Sequence, residues 1–199
     1  MGLPHREPRR SFSYKEAFRR LIRPLARFLS AMRVRPDALT ATGWAFSLCA
    51  AVLFAVGYTK TAGAVMLFAG LFDALDGAVA RESGRMSTFG AFLDSTLDRF
   101  SEAAIFVGVI FFYAASQPYA ALLAGVAMTF SLMTSYTRAR AEGLGLDCKV
   151  GLLERAGRVM ILSLFSLAGL LFAGLALVAA GALVTTAQRF LHVRRLTRG

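Results

Sequence analysis

Four aspartates carry the most distinctive chemistry in this chain: Asp73 and Asp76 stand three residues apart, and Asp94 and Asp98 four apart. On a helix, residues at these spacings share a face, so each pair projects as a double carboxylate. Between the pairs lie Gly77, Ala80, Arg81, Gly84 and Gly90, small or cationic residues suited to a phosphate group. Four carboxylates held close together repel one another unless a cation sits among them. Hard oxygen ligands suit Mg²⁺, Mn²⁺ or Ca²⁺, and Mg²⁺ is usually bound with phosphate oxygens completing its shell. A two-metal site would stabilise the attacking and leaving oxygens of a displacement at phosphorus. The competing reading makes the acids structural, in ion pairs with Arg81, Arg85 and Arg99. It accounts for any one aspartate better than for all four at these spacings.

The elements that must position these acids are apolar. Of the 199 residues, 56% are hydrophobic, and several segments approach the roughly twenty apolar residues needed to cross a bilayer. Segments 44–58 and 159–187 have no polar face at helical spacing, which argues against a soluble bundle. The expected fold is an all-α integral membrane protein: six transmembrane helices preceded by an N-terminal cytoplasmic amphipathic juxtamembrane helix. Residues 1–13 read as a flexible tail with no cleavable signal peptide, 14–34 as the interfacial helix, 35–193 as the six-helix domain and 194–199 as a basic tail. In the interfacial helix, Phe18, Leu21, Ile22, Leu25, Phe28 and Leu29 recur at helical spacing with Arg19, Arg20, Arg23 and Arg27 on the other faces. Pro24 is expected to kink it. The spans are expected at about 37–58, 61–81, 88–114, 119–141, 154–172 and 174–193, with a tight turn near Gly174 and a flexible loop over 142–153.

The formal charge of +11 does not mark a nucleic-acid binder. Ten of the 23 basic residues precede Asp37, and most others sit at the ends of apolar runs. That asymmetry places both termini, both longer loops and all four aspartates on the cytoplasmic side of the cell membrane. Ionisable groups inside spans are costly, and they are by default candidates for a functional site. Cys49 and Cys148 form no metal or disulfide motif, and neither His5 nor His192 has ligand spacing.

The pattern Asp73-x2-Asp76-Gly77-x2-Ala80-Arg81-x8-Gly90-x3-Asp94-x3-Asp98 resembles, at every fixed position, the signature of the CDP-alcohol phosphotransferases. The resemblance covers the six spans and implies that a CDP-linked lipid donates its phosphatidyl group to an alcohol while CMP leaves. It implies two divalent ions, Mg²⁺ or Mn²⁺, held around the CDP pyrophosphate by Asp73, Asp76, Asp94 and Asp98, with Asp98 also taking the proton of the attacking hydroxyl. Gly77, Ala80 and Gly90 would leave room for the cytidine nucleotide. Arg81 would grip phosphate oxygens through its fork, and Thr40 at the start of the first span would help close the site. Where the family often has Asn-Pro, this chain has Arg35-Pro36. Family members also imply a homodimer.

The acceptor must be read from the rest of the chain. Ser135, Arg138, Arg155, Arg158 and Arg189 gather at the ends of the last three spans, and arginine grips phosphate through paired hydrogen bonds. A phosphorylated acceptor is therefore expected. The stretches SYTRARAEGLG (135–145), GLLERAGR (151–158) and TTAQRFLHVRR (185–195) are similar to the family's phosphatidylinositol phosphate synthases. That resemblance implies CDP-diacylglycerol as donor, inositol 1-phosphate as acceptor, and Ser135, Arg138, Arg158 and Arg189 around the acceptor phosphate. Phosphatidylglycerophosphate synthesis from glycerol 3-phosphate is the alternative within the class. An ion- or proton-coupled transporter is the alternative outside it. Glu102 continues the Asp94–Asp98 stripe by one turn, either to line the site or to pair with a basic residue.

Overall fold

The computed structural model describes residues 14–84 and 86–198, with side chains from Arg20 onward. The expected tail 1–13 with His5, the Phe18 and Arg19 side chains, and the suggested Arg85 ion pair lie outside the described residues. Seven helices and no strand occur among those described: α1 (Tyr14–Ala31), α2 (Pro36–Ala55), α3 (Thr59–Ser83), α4 (Thr88–Ala114), α5 (Pro118–Gly143), α6 (Arg155–Leu167) and α7 (Leu171–Leu196).

By their closest backbone approaches, α2, α3, α6, α7, α5 and α4 form a closed ring, and α1 packs outside it on α3. Ring helices approach where side chains are small, which is how helices associate when lipid is as apolar as their own side chains. A Cβ on Gly108 of α4 would run into the carbonyl oxygen of Ala51 on α2, and one on Gly63 of α3 would lie 2.8 Å from the carbonyl oxygen of Ser163 on α6. Phe54, Phe106, Leu162, Leu175 and Val178 fill the middle of the ring, all buried.

Helices α2, α3, α5 and α7 are long and apolar enough to cross a membrane. Large apolar side chains such as Phe111, Leu122, Phe172 and Leu183 stand exposed on the outside, as expected where lipid is the solvent. Helix α4 has the length, but Asp94, Asp98, Arg99 and Glu102 interrupt its apolar run. Helix α6 has 13 residues, short for a span. The expected span 154–172 breaks at Ala168–Leu170, where Gly169 takes a left-handed φ of 76°, so the turn lies there and not near Gly174. Gly174 is instead helical and buried in α7, facing Phe165 of α6; a Cβ on it would lie 2.7 Å from the Phe165 Cβ.

Helix α1 runs without interruption through Pro24. Its Ile22 and Ala26 bury against Leu39, Leu75, Ala78 and Val79. Arg23 Nε (2.6 Å) and Arg27 Nε (3.2 Å) both hold Glu82 near the end of α3, while Leu21, Phe28 and Met32 face outward.

Candidate active site at one end of the helix ring

Local signals set the helix ends near which the acids stand. Pro36 opens α2 at its first position with Asp37 in the first turn, a favourable helix start. One turn on, the Thr40 hydroxyl is buried and donates to Asp76 Oδ2 at 2.7 Å, pinning that carboxylate against α2. Helix α3 stops at Gly84, whose φ of 65° is left-handed, with its N–H turned back to the Ala80 and Arg81 carbonyls. This glycine cap is the usual way to end a helix. Ser87 then caps α4, its Oγ accepting from the Gly90 N–H at 2.9 Å. A Cβ on Gly90 would press on that Oγ at 3.0 Å and lie 3.4 Å from Asp37 Oδ1.

So short a turn is expected to bring the acid pairs face to face. Both helices pack chiefly on α2, and Arg155 at the start of α6 bridges Asp73 and Asp98 between them. Arg155 Nη1 lies 2.5 Å from Asp73 Oδ2, and its Nη2 lies 2.9 Å from Asp98 Oδ1. Asp73 and Asp94 lie within electrostatic reach of both Asp76 and Asp98. Arg99 reaches Asp98 Oδ2 at 3.6 Å. Arg81 folds back over Gly77, its Nη1 3.4 Å from where a Cβ would stand.

One turn further along α4, Glu102 resolves the choice left by its spacing. It takes the Arg158 fork at 2.8 and 3.0 Å, with both residues buried. Asp98 and Glu102, four apart on α4, thus face Arg155 and Arg158, three apart on α6. A cavity of about 20 Å³ adjoins this double rung, lined by Ser47, Asp73, Ser101, Glu102, Arg155 and Arg158 among others. Its volume suits one water molecule.

Arg189 serves the loop between α5 and α6, part of the 142–153 stretch expected to be flexible, which α7 ties down. Arg189 Nε donates to the Val150 carbonyl at 2.9 Å and its Nη1 to the Thr134 carbonyl. Thr185 Oγ1 accepts from Leu153 N, and Gln188 Oε1 from Leu152 N, each at 2.9 Å. His192 meets the Asp147 carbonyl at 3.1 Å. Arg138 pairs with Glu142 at 2.8 Å. Arg138 and Arg158 lie within electrostatic reach of Arg189, and Ser135 is buried on α5. Of the expected acceptor residues, Arg158 is the one that shares the cavity with Asp73.

Two residues beside the acids take places that the sequence reading did not give them. Arg155 stands out in sequence only as one arginine among several; its signal is the three-residue spacing to Arg158, matching the four-residue spacing of Asp98 and Glu102. Gly43 is the second. A Cβ there would lie 3.1 Å from Phe72 Cβ and 3.2 Å from Asp73 Oδ1, so the missing side chain lets α2 pass close to Asp73 without pushing on it.

The donor set suits a divalent cation. It consists of hard carboxylate oxygens, and Arg155 already stands as a positive charge bonded to two of them. Among the described residues, no three acidic, imidazole or thiol side chains have yet converged into a cage.

Residues 33–189 match the CDP-alcohol phosphatidyltransferase family. The chain belongs to that family. It is accordingly a phospholipid-synthesising transferase of the phosphotransferase class. An archaetidylinositol phosphate synthase of Methanothermobacter thermautotrophicus is 38% identical over 187 residues, 90% of this chain and 92% of its own. A phosphatidylinositol phosphate synthase of Mycobacteroides abscessus is 38% identical over 195 residues, 90% of this chain and 86% of its own. The crystal structure of Mycobacterium tuberculosis phosphatidylinositol phosphate synthase with CDP-DAG bound matches the fold with a TM-score of 0.79 at 33% identity, covering 87% of this chain and 94% of that one. The same enzyme in complex with manganese and citrate matches with a TM-score of 0.78 at 34% identity, covering 85% and 87%. CDP-alcohol phosphotransferases use divalent metals such as Mg²⁺ or Mn²⁺.

Proposed function

We propose that this chain transfers the phosphatidyl group of CDP-diacylglycerol to inositol 1-phosphate, giving phosphatidylinositol phosphate and CMP. The observation that carries the reading is the cavity where the two halves of the chemistry meet: Asp73 of the signature and Arg158 of the arginine set line the same space. Asp73, Asp76, Asp94 and Asp98 would hold the divalent cations, which when bound neutralise the pyrophosphate charge. Thr40 orients Asp76 for that task, and Arg81 above Gly77 offers its fork to a phosphate oxygen. Gly77, Ala80 and Gly90 give the nucleotide room. Ser135, Arg138, Arg158 and Arg189 bind the acceptor phosphate and so aim the inositol hydroxyl at phosphorus. Asp98 takes the proton of that hydroxyl as the new oxygen–phosphorus bond forms and the bond to CMP breaks.

The reading extends to the membrane. Residues 35–193 form the catalytic domain of six spans, including the charged α4 and the short α6, and 14–34 form an amphipathic helix in the headgroup plane with its arginines toward anionic lipid. Both termini and the site face the cytoplasm, following the bias of Lys and Arg along the chain. The working unit is a homodimer.

The deciding experiment offers radiolabelled CDP-diacylglycerol with inositol 1-phosphate, glycerol 3-phosphate or free inositol, and follows CMP release and the lipid product. Product with inositol 1-phosphate is expected. Exclusive use of glycerol 3-phosphate would overturn the acceptor assignment.

A further inference from the structure

The Arg155 guanidinium spans the gap between α3 and α4, one nitrogen on Asp73 and the other on Asp98. Its Nε is buried and has no hydrogen-bond partner. A buried donor without an acceptor is unfavourable, so the two carboxylates hold this side chain where its own hydrogen bonding is incomplete. Any cation that takes those same two oxygens must first release Arg155. We infer that Arg155 is a tethered counter-ion of the acid cluster, which divalent cations displace on binding, and that it sets the affinity of the site for them.

The arrangement favours exchange in both directions. A guanidinium brings one charge shared between two carboxylates, whereas a divalent ion brings two and binds oxygen directly. Arg155 also borders the small cavity beside Ser47, Ser101 and Glu102, where a water can meet its nitrogens once the carboxylates let go. Arg155 is thus a positioning residue: it keeps the acids from repelling one another apart until cations arrive, and competition with it prevents the site from binding them too tightly.

The inference rests on the four aspartates being the ligands, and the test separates the two claims. Full-length protein in detergent micelles is titrated with Mn²⁺ while electron paramagnetic resonance reads the free ion. Asp94→Asn must lose Mn²⁺ binding, and if it does not, the ligand assignment itself fails. Arg155→Ala and Arg155→Gln should bind Mn²⁺ about ten- to a hundredfold more tightly than the parent, because two charge-assisted hydrogen bonds no longer compete. Arg155→Lys, which keeps the charge but cannot fork, should fall between. Mn²⁺ should also raise the unfolding temperature of Arg155→Gln more than that of the parent, as mass action requires of a tighter ligand. Unchanged or weaker Mn²⁺ binding in both Arg155→Ala and Arg155→Gln, with binding lost in Asp94→Asn, would overturn the role of Arg155 alone.

Discussion

Replacing Glu102 with alanine isolates the buried half of the charge ladder. Arg158 is 2% exposed and Glu102 7%, and their two hydrogen bonds measure 2.8 and 3.0 Å. Among the described residues, Arg158 otherwise reaches the Leu153 carbonyl at 3.4 Å, too long to compensate. Removing one partner of such a pair costs about 3–5 kcal/mol, because the survivor is left as a buried, uncompensated charge. The adjoining cavity can admit a water to the stranded guanidinium, which places the expected cost near the lower end, at about 3 kcal/mol. Glu102→Gln keeps the shape and one acceptor and should cost about 1–2 kcal/mol, since a charge-assisted bond is roughly twice as strong as a neutral one. Glu102→Leu combined with Arg158→Met should recover most of the loss, because a well-packed apolar replacement of a buried pair is often neutral. Thermal unfolding in detergent reads all three. At roughly 2–4 °C per kcal/mol for a chain of this size, Glu102→Ala should melt about 6–12 °C below the parent. An alanine variant within about 2 °C of the parent, or a double variant no more stable than the single ones, would refute the reasoning.

Other substitutions test other links. Thr40→Val removes the donor to Asp76 while keeping the shape; Mn²⁺ binding should weaken about tenfold, the worth of one hydrogen bond to a charged group, with the fold intact by circular dichroism. Gly108→Leu cannot be accommodated against the Ala51 carbonyl, and it should separate α2 from α4 and prevent recovery of folded protein from membranes, whereas Gly125→Leu, with open space around it, should be tolerated. Arg138→Ala should raise KM for inositol 1-phosphate about tenfold or more, as loss of a charge-assisted contact requires, while leaving KM for CDP-diacylglycerol unchanged. Glu82→Ala, which removes exposed ion pairs with Arg23 and Arg27, should leave the unfolding temperature close to that of the parent, since surface pairs contribute little.

How much of this was legible in the residues depended on distance along the chain. The helices were, because apolar runs and the Pro36 start, the Gly84 stop and the Ser87 cap are local signals. The aspartates were, because their chemistry is written in spacings of three and four on one helix. Arg155 was legible only as one of the arginines gathered at the ends of the last spans: its partner Asp73 lies 82 residues away, and nothing local says that it meets an acid instead of a phosphate. The turn before α7 was misplaced because Gly169 and Gly174 sit in equally apolar surroundings, and only the facing Phe165 explains why the second is a packing glycine. The loop 144–154 reads as flexible from its glycines, yet its backbone groups find partners on α7, about forty residues onward. A composition rule cannot see such partners.

The shortness of α6 sets how far Arg155 and its acids lie from the end of α3. Its last turn is level with the first turn of α3, since Ser166 Oγ donates to the Thr59 carbonyl at 2.6 Å, and its first turn is level with Asp73. Helix α3 then continues ten residues to Ser83, about 15 Å at the usual rise. The loop that feeds α6 therefore dips below the rim of the ring, and its backbone is satisfied by Thr185, Gln188, Arg189 and His192 because irregular chain at that depth needs protein partners. On the proposed membrane placement, a lipid-borne donor would then enter sideways from its own leaflet while a water-borne acceptor descends from above, each staying in its native phase.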